Sequence, residues 1–63
     1  MNEQEAKRIL KDYLHKDGDL YSAGRYLAWR CGNEEATLDG SFDATELEAI
    51  AWWMRNVKQK KIK

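Results

Sequence analysis

A single cysteine in a chain of 63 residues is the tightest limit on how this protein can hold itself together. A chain so short buries only about 60% of the surface its unfolded form exposes, and scaffolds of this size usually add disulfides, a metal, oligomerisation or dense packing. Cys31 has no second cysteine to pair with. One Cys and one His, His15, cannot supply the four ligands of a structural zinc site. Dense packing and oligomerisation remain, and the rings suit both. The chain has three Trp, three Tyr and one Phe, each able to bury about 150–250 Å².

An unpaired cysteine fits a reducing compartment. No apolar run approaches the ~20 residues of a membrane span, and Met1-Asn2-Glu3-Gln4-Glu5 lacks the hydrophobic stretch of a signal peptide. The expected location is the cytoplasm, without membrane contact.

Eleven basic and eleven acidic side chains cancel, so no global charge draws the chain to nucleic acid or to a lipid surface. The charges are unevenly placed. Residues 32–48 carry six acids and no base, and residues 55–63 carry five bases and no acid. One acidic and one basic region can steer a partner or dock head to tail with a second copy.

The chain has four glycines and no proline, a pattern that favours helices separated by short turns. The spacing predicts an all-α fold of three helices over 3–16, 20–31 and 43–58, with an irregular connection at 33–42. Residues 1–63 then form one small helical domain with a basic, frayed tail at 58–63. Asn2 and Glu5 form a capping-box pattern before the first helix, whose stripe is Ala6, Ile9, Leu10, Tyr13 and Leu14. Asp17-Gly18-Asp19 breaks it, with Gly18 suited to a left-handed position. The second stripe is Leu20, Ala23, Gly24, Leu27 and Cys31. Gly24 costs about 1 kcal/mol of helix propensity relative to Ala, a cost that close approach of another helix at Ala23 and Gly24 would offset. A short extended piece at Ala36-Thr37-Leu38 fits before a turn at Asp39-Gly40. The third helix has the strongest local signal: Asp43 as cap with Glu46 three residues on, flanked by Phe42 and Leu47, combines a capping box with a hydrophobic staple. Leu47, Ile50, Ala51, Met54 and Val57 form its core stripe.

Residues 35–46 overlap the pattern of an EF-hand calcium loop, with Gly40, Phe42 and Glu46 at its sixth, eighth and twelfth positions. Glu35 stands where the loop wants aspartate, and Thr37 at the third position. Capping accounts for Asp43 and Glu46 without a metal, so no metal or cofactor is expected. Cys31 falls on an inner stripe and His15 near a helix end. A nucleophile needs a base and an orienting group, and neither residue has them. Exposed carboxylates in so short a chain lack the enclosed cleft that general acid–base work requires. No catalytic residue is expected.

On a helical wheel Trp53 borders the core stripe, whereas Trp52 points away from it, beside Glu48, Arg55 and Asn56. Trp29 lies opposite the second stripe, with Tyr26 nearby. Because Trp, Tyr and Arg dominate interface hot spots, Trp52, Trp29, Tyr26 and Arg55 are the expected partner or dimer interface. A two-fold homodimer is the expected assembly. The alternative is a helix-turn-helix made by the first two helices, reading DNA with Ser22, Arg25, Tyr26, Trp29 and Arg30. Zero net charge disfavours it, since DNA-binding modules show a basic excess.

The stretch Thr37-Leu38-Asp39-Gly40-Ser41-Phe42-Asp43-Ala44-Thr45-Glu46-Leu47-Glu48-Ala49-Ile50-Ala51-Trp52-Trp53-Met54 resembles the C-terminal part of short proteins encoded by temperate bacteriophages. The chain's length and its lack of an enzymatic signature are similar to the accessory proteins of lambdoid phage early regions, encoded between recombination and excision functions. The resemblance implies binding to a phage or host protein in the host bacterial cytoplasm, with an effect on phage development or host processes. It spans less than a third of the chain and carries no functional residue with it.

Overall fold

Asn2 opens the first helix from an extended backbone, its side-chain oxygen accepting the Glu5 N–H at 2.8 Å. A computed structural model describes residues 1–22 and 26–57, and the elements below are drawn from those residues. Helix α1 covers Glu3–Ile9 and carries exposed Glu3–Lys7 and Glu5–Arg8 ion pairs at 3.4 and 4.0 Å. It ends at Ile9, and the predicted continuation to residue 16 is not formed. The Leu14 N–H still donates to the Leu10 carbonyl, but the rest of the backbone at 13–15 bonds to residues 19–21 instead. The Tyr13 carbonyl accepts the Tyr21 N–H at 2.8 Å, the His15 N–H donates to the Asp19 carbonyl at 2.9 Å, and Leu14 bridges Leu20. Helical bonds would need the same donors and acceptors. The intervening turn rests on Gly18, at φ +97°, whose N–H donates to the His15 carbonyl.

Residues 20–22 and 26–29 are strands, which overturns the predicted second helix and with it the all-α class. Strands β1 (Leu20–Ser22) and β2 (Tyr26–Trp29) run antiparallel, with Leu20 opposite Trp29 and Ser22 opposite Leu27. Directly opposed residues share a sheet face, so Leu20, Leu27 and Trp29 point one way, and all three are buried. Tyr21, Tyr26 and Ala28 point the other way. Aromatic side chains fit this half-buried pleated surface better than a helix. The close approach expected at Ala23 and Gly24 lies outside the described residues, as do Arg25 and the tail at 58–63. The Asp19 carboxylate accepts the Cys31 N–H at 2.7 Å, joining the entry to β1 with the exit from β2.

The expected irregular connection contains strand β3 (Thr37–Asp39), which pairs antiparallel with β2 to give the sheet order β1-β2-β3. Helix α2 (Ala44–Asn56) then begins at a complete capping box. Asp43 accepts the Glu46 N–H at 2.8 Å, and the Glu46 carboxylate accepts the Asp43 N–H at 3.1 Å. Phe42 sets its ring edge-on to Tyr13, with centroids 6.3 Å apart, while Leu47 remains largely exposed.

The helices pack against each other and cover one face of the sheet. The shared core is Ala6, Leu10, Tyr13, Leu20, Leu27, Trp29, Ala49, Ile50, Trp53 and Val57. Its polar atoms are all met. The Trp53 indole N–H donates to the Gly18 carbonyl and the Trp29 indole N–H to the Asn33 carbonyl, both at 2.9 Å. The Tyr13 hydroxyl donates to Glu46 Oε2, also at 2.9 Å. No buried side-chain N or O among the described residues lacks a partner. None of the described helices is long and apolar enough to cross a membrane.

Candidate interaction surfaces

Because both helices lie on one side of the sheet, the molecule presents two distinct faces: the outside of α2 and the open side of the sheet. The four aromatic and basic residues predicted as an interface are divided among these faces and the core.

On α2, the core side holds Ala49, Ile50, Trp53 and Val57. Trp52 sits about 100° around the helix from Trp53 and is half-buried, its ring centroid 6.4 Å from that of Trp53. With Met1, Arg55, Glu48, Ala51 and Asn56 it lines a shallow groove of about 350 Å³. The Asn56 amide donates to the Trp52 carbonyl at 2.8 Å and holds the last turn of the helix. On the other side of the ridge made by Ala51 and Arg55 lies a second groove. Met54, Val57 and the turn at Gly32, Asn33 and Glu34 complete its lining.

Tyr26 lies elsewhere, on the open face of the sheet, with Tyr21, Ala28, Thr37 and Asp39. Tyr21 and Tyr26 are 51% and 45% exposed. The His15 ring lies against Tyr21, with centroids 6.2 Å apart. Sequence reasoning missed Tyr21 and Met1 as surface groups. The alternation Tyr26-Leu27-Ala28-Trp29 was the signal that would have found the tyrosine face, because period-two patterning separates Tyr26 from Trp29.

Trp29 is 2% exposed. Its placement opposite a helical core stripe does not exist, since the helix does not, and its ring fills the core between sheet and helices. The helix-turn-helix needs the same missing helix, so Ser22 and Trp29 cannot line a recognition helix. Cys31 is half-buried with its Sγ 3.8 Å from the Val57 carbonyl, and His15 is exposed. In the EF-hand-like stretch, Thr37 and Asp39 belong to β3 and Glu46 is held by the cap and by Tyr13. Among the described residues no three His, Cys, Asp or Glu side chains converge on a point that could hold a metal ion.

No protein-family model matches the chain, and neither does any curated protein or solved structure.

Proposed function

We propose that this chain is a non-catalytic binding module that acts through protein–protein contact, and that the outer face of α2 is where it meets a second copy of itself. The observation that carries this is the half-buried Trp52 beside Arg55 and Met1 in one groove, on the side of α2 that the sheet does not cover. Trp and Arg are the residue types whose truncation costs most at interfaces. A chain this small also gains proportionately from burying further apolar surface, at about 25 cal/mol per Å². The resemblance of residues 37–54 to short phage-encoded proteins supports a setting in the host bacterial cytoplasm, where a phage or host protein would be the further partner and phage development the process affected.

Sedimentation equilibrium at micromolar concentration tests the self-contact. A dimer mass is expected, and a clean monomer mass removes it. In the dimer, Trp52→Ala is expected to weaken association with little change in helicity. Loss of helicity with the dimer intact would instead assign Trp52 to the intrachain core.

A further inference from the structure

We propose that the edge of β3 away from β2, which no other described residue pairs with, accepts an extended, lysine- or arginine-rich segment of a partner protein as a fourth strand of the sheet. The sheet has two edges, and they are treated differently. Along β1, residues 13–15 already occupy the edge through the Leu14–Leu20 bridge and the Tyr21-to-Tyr13 and His15-to-Asp19 hydrogen bonds. Along β3, no backbone hydrogen bond among the described residues runs to anything but β2. Thr37, Leu38 and Asp39 are all exposed. Alternate N–H and C=O groups of an edge strand point away from its neighbour, a ready template for another strand.

Charge selects the occupant. Glu34 and Glu35 precede β3, Asp39 lies in it and Asp43 follows it, and all four are exposed. The ion pairs found among the described residues are both on α1, so none of these acids is paired there. No base occurs between Arg30 and Arg55 in the sequence. A second copy laid on the same edge would double these carboxylates along one short ladder with no base to offset them, and like charges across strands are destabilising. A basic extended segment reverses that sign. Its main chain would supply the ladder bonds and its alternate side chains the selectivity, with apolar residues beside Leu38 and basic ones beside the acids.

This inference rests on the binding-module reading but uses a surface separate from the outside of α2. The test uses the full chain and three labelled probes followed by fluorescence anisotropy. They are a short peptide alternating lysine and valine, its glutamate–valine counterpart, and the basic peptide with alternate backbone amides N-methylated. The basic peptide is expected to bind and the acidic one not. N-methylation is expected to weaken binding at least about tenfold, as is the triple change Glu34→Gln, Glu35→Gln and Asp39→Asn. Amide NMR shifts should centre on 36–40. Equal binding of the N-methylated peptide, shifts centred elsewhere, or no binding of any peptide overturns the proposal; in the last case the acids serve only to keep copies from pairing. A chain that dimerises through α2 yet ignores the basic peptide keeps the earlier proposal and loses this one. A monomeric chain that binds the peptide does the reverse.

Discussion

Tyr13 and Glu46 stand 33 positions apart in the sequence and meet through a hydrogen bond, hydroxyl to carboxylate, that joins the turn after α1 to the first turn of α2. Tyr13→Phe keeps the ring and its contact with Phe42 but removes that donor. A hydrogen bond to a charged group is worth about 1.5–3 kcal/mol, and this one is only partly buried, so a loss near the lower end is expected. Urea unfolding should show a lower midpoint at unchanged slope. Gly18 tests backbone strain in isolation. A Cβ there would meet the Cys31 Sγ at 3.4 Å, an ordinary contact, so space is not the obstacle. At φ +97° an L-residue is strained regardless, and Gly18→Ala is expected to destabilise by about 1–2 kcal/mol in the same titration. That Gly18 suits a left-handed position was legible from Asp17-Gly18-Asp19 alone. That its carbonyl would receive the Trp53 indole was not, because nothing local links residue 18 to residue 53.

Helix α2 and the β1–β2 pair show what kind of element a single sequence discloses. The start of α2 is set by Asp43 and Glu46 bonding each other's backbone within one turn, so the information sits within four residues. Asp43→Ala is expected to cost about 0.5–2 kcal/mol, read as a lower melting temperature followed at 222 nm, with Asp43→Asn close to the parent. The β1–β2 pair was misread because Leu20 and Leu27 satisfy both periods. Seven residues apart, they share a face of a helix, and in the antiparallel pair they share the inner face of the sheet. What separates the two solutions is Tyr26 and Trp29, which sit near one side of a wheel but on opposite faces of a strand. The end of α1 was illegible for another reason. Residues 10–14 keep helical spacing, and the Leu14 N–H still donates to the Leu10 carbonyl. The bonds to Tyr21 and Asp19, however, take the Tyr13 carbonyl and the His15 N–H that a helix running to residue 16 would use.

Across the whole molecule, the three tryptophans report on two environments. Trp29 and Trp53 are buried with their indole N–H groups bonded to carbonyls, and Trp52 is half-buried at the α2 groove. Acrylamide should quench one fraction of the emission readily, and Trp52→Phe should remove that fraction while the protected emission persists. Equal protection of all three in the monomer would contradict the position of Trp52. The candidate surfaces were only half legible at this scale. Placing Trp52 and Arg55 needed the phase of one helix. Placing Tyr26 and Trp29 needed the choice of a period of two over a helical period, which Leu20 and Leu27 satisfy equally. The bonds from Tyr13 to Glu46 and from Trp53 to Gly18 close loops of 33 and 35 residues, with α2 on the later side of both. Contacts of that range form only after the entropy of loop closure has been met. During synthesis the strands are therefore expected to emerge with Leu20, Leu27 and Trp29 incompletely covered until Ile50 and Trp53 leave the ribosome. Closure of the core is expected to wait for α2, whatever forms before it.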